Sequence, residues 1–134
     1  MALSVRKMVK KGVPALSYEK ILESILPGWD ISLVFVGSAR AISINTQLRK
    51  KTYAPNVLSY ETGKKSGEII ICPDVAKKQH ESYDMTYPQF VVYLFIHGCM
   101  HLKGYAHGTT MERRERALLS QVTHLYEAKN RNRN

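Results

Sequence analysis

Cysteine is scarce. The chain has 134 residues and only two cysteines, Cys72 and Cys99. A small secreted scaffold carries more, so the count excludes a disulfide framework and points to a reducing compartment. Long apolar runs are missing too. The longest, "FVVYLFI" at 90–96, has seven residues, far short of the about 20 needed to span a bilayer. The opening "MALSVRKMVKKG" lacks the apolar core of a secretion signal. The expectation is a cytoplasmic protein with no membrane partner. There is no internal repeat and no Ser/Gly-rich linker, so residues 1–134 read as one domain, long enough to bury a core unaided. Acidic residues are also few. Eleven Asp and Glu against twenty Lys and Arg leave a net charge of +9. That surplus favours a polyanionic partner: RNA, DNA or an acidic surface.

What is present reads as alternating elements. "PALSYEKILESIL" (14–26) predicts an amphipathic helix with Leu16, Ile21, Leu22, Ile25 and Leu26 inward, stopped by Pro27-Gly28. "DISLVFV" (30–36) predicts a strand. Ser38 is placed to cap a helix over 39–51, with Ala41, Ile44 and Leu48 facing the core. "NVLSY" (56–60) and "EIIIC" (68–72) predict two strands around the turn-rich "ETGKKSG". Pro73 opens a short helix over 73–82. Residues 88–103 are apolar almost all round, which predicts a central, buried helix. Thr109 and Glu112 have capping-box spacing for a last helix, with Leu118, Val122 and Leu125 inward. The basic ends, 6–11 and 129–134, read as solvated or frayed. The fold class expected is α+β, a small mixed sheet packed with helices.

Three of the five histidines stand in "HGCMHLKGYAH", at His97, His101 and His107. On a helix, residues four apart share a face, so His97 and His101 aim two imidazoles at one point. Gly104 can take the left-handed conformation that ends a helix and turns the chain back, which lets His107 join from a loop. Three neutral imidazoles around Zn²⁺ leave a fourth position open, the catalytic pattern rather than the closed structural one. A metal site at the C-terminal end of the central helix follows. Cys99 lies about 200° round the helix from His97 and should face the core rather than the metal. The spacing H-x-x-x-H-x-x-G-x-x-H also matches the metzincin type of zinc protease. There the second position is a glutamate general base; here it is Gly98, so peptide hydrolysis lacks its proton acceptor.

At this point the chain resembles the YbeY-type endoribonucleases, whose signature H-G-x-x-H-L-x-G-Y-D-H differs from 97–107 at one specified position. "NTQLRKKTYAPNVLSY" (45–60) is similar to the family's upstream motif, with Asn45, Arg49, Lys51, Val57, Leu58 and Ser59 in register. "SGEIIIC" (66–72), Met111 and Glu115 also match its pattern. The resemblance covers about residues 30–120. It implies a zinc-dependent, single-strand-specific endoribonuclease acting in ribosomal RNA maturation and ribosome quality control. It also implies one Zn²⁺ per chain on His97, His101 and His107, and partners that include ribosomal RNA and ribosomal or ribosome-associated proteins. Arg49 matches the family's functional arginine. Four positions depart from the pattern: Ala106 for Asp, Thr52 for Asp, Ala54-Pro55 for Pro-Thr, and Glu68 for Asp. The first removes a carboxylate beside His107 that could orient it.

The chemistry expected is phosphodiester cleavage. Arg49, planar and always charged, suits the charge that grows on a phosphate in the transition state, and so joins the three histidines as a catalytic candidate. Glu61, Glu68, Glu112 and Glu115 are candidates for proton transfer or for supporting the ligands. Lys50, Lys51, Lys64 and Lys65, with Tyr53, Tyr60 and Tyr105, are candidates for an RNA track. His80 and His124 read as surface or packing residues. Two other readings remain: a non-catalytic RNA-binding or ribosome-assembly factor with structural zinc, which Ala106 and Thr52 keep open, and a metalloprotease, which Gly98 opposes.

Overall fold

The computed structural model describes residues 2–104 and 108–131, with side chains up to Gln121. Strand β1 (Leu3–Lys7) is followed by helix α1 (Tyr18–Ile25), β2 (Asp30–Phe35) and α2 (Ser38–Arg49). The hairpin β3 (Val57–Gly63) and β4 (Ser66–Ile71) comes next, then α3 (Pro73–Gln79), a 3₁₀ turn (His80–Tyr83), α4 (Tyr87–Lys103) and α5 (Thr109–Arg131). The sheet runs β1-β2-β4-β3. β2 is parallel to both β1 and β4, and β3 is antiparallel to β4. The expected α+β class with a small mixed sheet is what forms. Among the described residues, no helix is long and apolar enough to cross a membrane.

The runs "LVFV" and "IIIC" are apolar on both faces because the sheet's centre is covered on both. Leu33, Phe35, Ile69 and Ile71 belong to the larger core, with α1 and α4 and with Met111 and Leu118 of α5. Val34, Val36 and Ile70 point the other way, to Ala41 of α2 and Leu58 of β3. Central strands of a helix-covered sheet take this near-continuous apolar pattern.

Helix α4 positions the site. Thr86 and Gln89 close a capping box at its start, and Gly104, at φ 108°, ends it in the left-handed conformation expected there. From Phe90 to Leu102 every residue is buried except Tyr93, His97 and His101. Those three stand four apart, so they form a single stripe on an otherwise enclosed helix. Cys99 is fully buried, as its place on the helix predicts.

Several local expectations are corrected. The basic stretch 6–11 is largely exposed as expected, but Arg6 and Lys7 are not frayed: they close β1, which pairs with β2 in the register Leu3↔Ile31 to Lys7↔Phe35. Ser38 is the first residue of α2 and Gly37 its N-cap; the Ser38 hydroxyl instead donates to Asp74 at 3.3 Å. Leu48 is 52% exposed, and Asn45 is buried in its stead. The Glu112 N–H donates to the Gly108 carbonyl, so α5 starts from Gly108 rather than from a Thr109 cap. Residues 61–63 and 66–67 extend the hairpin strands, leaving only Lys64-Lys65 as the turn. Helix 14–26 shortens to Tyr18–Ile25. The side chains of Val122, His124 and Leu125 lie outside the described ones.

Candidate active site

Three elements meet at a cleft of 390 Å³: the C-terminal end of α2 with Arg49, Asn56 with the start of β3 from Val57 to Ser59, and the His97–His101 end of α4. The two histidines converge as their spacing requires. Their Nε2 atoms stand 3.0 Å apart, with the rings nearly perpendicular at 80°. Two nitrogens about 2.05 Å from one tetrahedral zinc would be about 3.3 Å apart. The pair is therefore set for a shared cation with a shift of a few tenths of an ångström. Among the described residues, no group of three or more His, Cys, Asp or Glu gathers around one point. The third expected ligand, His107, lies outside the described residues, as do Tyr105 and Ala106.

Glu115 is the residue the structure raises in importance. It is one of two buried polar or charged residues among those described, 2% exposed, and its Oε1 accepts from His97 Nδ1 at 2.7 Å. With the proton held on Nδ1, the His97 Nε2 lone pair is directed to His101 Nε2, which donates to it across 3.0 Å. This is the carboxylate–histidine arrangement that fixes a metal-binding imidazole in one tautomer and orientation. Met111, Glu115 and Leu118 lie on one face of α5 at helical spacing and are all buried against α4. The Tyr93 phenol also packs against this carboxylate. Burial first, then the charge of Glu115 and a hydrogen bond to it, push its pKa well above the ordinary range.

Gly98 has a steric reason. A Cβ there would meet the Ile69 side chain at 3.0 Å, where α4 lies closest to β4. A protease-type glutamate at 98 would force Ile69 aside, so the glycine belongs to the packing as well as to the motif.

Arg49 ends α2 with its side chain exposed into the cleft. The chain behind it is pinned twice. Asn45 Nδ2 donates to the Tyr53 carbonyl at 3.0 Å, and the Thr46 hydroxyl lies 2.8 Å from the Lys51 carbonyl. Lys50 takes the left-handed conformation, φ 56°, to allow the turn. Asn45 was legible as a motif position, but its role as a loop anchor was not.

Other candidates fall elsewhere. Glu68 accepts from the Tyr60 hydroxyl at 2.6 Å, which ties up both residues; burial, then Glu68, raises the Tyr60 pKa to about 12. Glu61, Lys64 and Lys65 lie around the exposed hairpin end, and Lys51 and Tyr53 in the exposed loop after α2. Glu112 is exposed on α5. His80 Nδ1 lies 2.8 Å from the Met85 carbonyl, the packing role expected of it.

Residues 2–127 match the family described as Endoribonuclease YbeY. The chain belongs to the YbeY endoribonuclease family. A YbeY endoribonuclease of Bdellovibrio bacteriovorus is 36% identical over 100 residues, 73% of this chain and 67% of that protein. One of Staphylococcus carnosus is 30% identical over 112 residues, 75% and 73% of the two chains. One of Polynucleobacter asymbioticus is 36% identical over 101 residues, 69% and 65%. The matched part thus spans about two thirds of these YbeY relatives. A solution structure of a Thermotoga maritima protein has the same fold, with a TM-score of 0.69 at 18% identity over 95% of this chain and 93% of that one.

Proposed function

We propose that this chain is a zinc-dependent endoribonuclease that cleaves single-stranded RNA, acting in the cytoplasm on ribosomal RNA in ribosome maturation and quality control. Residues 1–134 act as one domain, and ribosomal or ribosome-associated proteins are its companions. The observation that carries the reading is the convergence of His97 and His101 Nε2 at 3.0 Å, with Glu115 behind one ring and Arg49 in the same cleft. Membership of the YbeY endoribonuclease family supports the RNA-cleaving activity.

His97 and His101, with His107 as the third ligand, would hold one Zn²⁺. A bound zinc supplies Lewis acidity and activates water near neutral pH. The chain's own residues do the rest. Glu115 would hold the His97 proton at Nδ1 and so leave Nε2 as an acceptor, where a cation would take the place of the His101 N–H. Arg49 offers a planar fork to two phosphate oxygens and stabilises charge that grows as the phosphodiester reacts. Asn56 and the start of β3, Val57 to Ser59, also line the cleft. Net charge +9 draws the polyanion in.

The test measures metal content and cleavage of single-stranded RNA on one preparation, with and without chelator. The expected result is one zinc per chain and cleavage abolished by chelation. His101→Ala should lose both. Zinc retained at full occupancy in His101→Ala would refute the three-histidine site. A stable, zinc-loaded protein that binds RNA without cutting it would instead establish a non-catalytic assembly factor.

A further inference from the structure

A second cleft, of 330 Å³, lies on the Glu115 side of His97, with Tyr83, Met85, Tyr93, Glu112 and Arg116 in its lining. It shares no lining residue with the Arg49 cleft. The His97–Glu115 hydrogen bond and the Tyr93 ring, 6.1 Å from His97, stand between the two.

Tyr83 is unusual here. It is 47% exposed, yet its ring rests on buried Phe90 with centroids 4.7 Å apart and lies 6.2 Å from Tyr93. The turn that carries it is rigidly tied. Asp84 adopts φ 56°, the Met85 N–H donates to the His80 carbonyl at 3.2 Å, and His80 Nδ1 meets the Met85 carbonyl. An aromatic ring backed by packing and held on a tied turn loses little freedom when a flat partner lands on it. Two charged side chains of the lining are exposed, Glu112 and Arg116, while Glu115 is committed to His97. Glu112 repels a phosphate but accepts from the amino or imino groups of a base. Arg116, one turn along α5, is free to meet a phosphate at the rim.

We propose that this second cleft is a nucleotide subsite: a base of single-stranded RNA stacks on Tyr83 while Arg116 meets its phosphate. The inference rests on the endoribonuclease reading and extends it, giving the strand a foothold beyond the reacting phosphate. Stacking on an aromatic side chain accepts any base, since every base has a π-face.

The experiment uses zinc-loaded full-length protein and a fluorescein-labelled single-stranded oligouridylate, read by anisotropy for affinity and by cleavage for kcat and KM. Tyr83→Ala should weaken binding about 5- to 150-fold, the range for loss of one stacked base, with the loss in KM rather than kcat. Tyr83→Leu keeps bulk over Phe90 but removes the aromatic face, so it should follow Ala, while Tyr83→Phe restores affinity. Arg116→Ala should weaken binding and flatten its salt dependence. Unchanged affinity in both Tyr83→Ala and Tyr83→Leu overturns the subsite while leaving the cleavage reading intact. A wild-type protein that neither binds nor cuts RNA overturns both.

Discussion

Replacing Glu115 by alanine isolates what the buried carboxylate does. In the parent its Oε1 lies 2.7 Å from His97 Nδ1, and the residue is 2% exposed. Alanine vacates the carboxylate's place and supplies no acceptor in its stead. The Nδ1–H would then be left without its acceptor, at a cost of about 1–3 kcal/mol. Seen from the metal, losing the partner that orients a histidine ligand weakens binding about 10- to 100-fold, or about 1.4–2.7 kcal/mol. The first is read in the melting temperature of the metal-free protein, the second in zinc affinity. Glu115→Gln keeps an acceptor oxygen but loses the charge, and charge-assisted hydrogen bonds are about twice as strong as neutral ones. Its loss of zinc affinity should therefore sit at or below about tenfold. The assay is zinc affinity by competition with a chromogenic chelator, with melting temperatures of the metal-free proteins measured alongside. A Glu115→Ala protein that melts with the parent and binds zinc equally well would refute the orienting role.

Arg49→Ala should lower kcat for RNA cleavage about 10²- to 10³-fold, as for loss of one preorganised charge-stabilising donor, without changing zinc content or melting temperature; Arg49→Lys should recover only part, because a point charge does not reproduce the fork. Equal loss of fold and activity would make Arg49 structural. Affinity for single-stranded RNA should fall as salt rises, by about 0.7 in the log–log slope per phosphate contact, and a flat response would remove the charge argument. Above pH 10 the protein should lose stability. Burial is the first cause that raises the phenol pKa values of Tyr18, Tyr60 and Tyr87, the last two to about 12. Their hydroxyls donate to the Pro14 carbonyl, to Glu68 and to the Gly12 carbonyl. The folded state holds these protons more tightly than the unfolded one. Their stabilisation is thus complete below about pH 10; that of Tyr60 and Tyr87 is lost between about 10 and 12, and that of Tyr18, raised further, at higher pH still. Melting temperature against pH, with phenolate absorbance followed in parallel, checks this; an unchanged melting temperature across that window would refute it.

Local pattern was a good guide wherever one element decides its own outcome. The α4 stripe is the clearest case. A helix apolar on all sides but for residues four apart must present those residues together, and Tyr93, His97 and His101 are what it presents. Gly104 as the helix end and Cys99 as a core residue follow from the same geometry. Where a second element decides, the pattern misled. Arg6 and Lys7 of β1 looked like part of a basic tail because the strand's order comes from pairing with β2, 28 residues away. Leu48 was placed inward by hydrophobicity, but the inner position at the end of α2 goes to Asn45, whose amide holds the Tyr53 carbonyl.

Apart from β1 and the inward face at the end of α2, residue type and spacing along the chain alone determined the elements, their apolar faces and the aim of the two helical histidines. These depend on helix and strand periodicity, which is a property of neighbouring residues. Only the tertiary structure decided that Glu115 of α5 backs His97 of α4, and that Arg49 opens into the same cleft as both histidines. It alone showed why Gly98 must be small. The reason is physical. A hydrogen bond across 18 residues, or a 3.0 Å approach between a helix and a strand, depends on how two elements dock. Docking is set by the sum of contacts on both, which no single stretch of sequence contains.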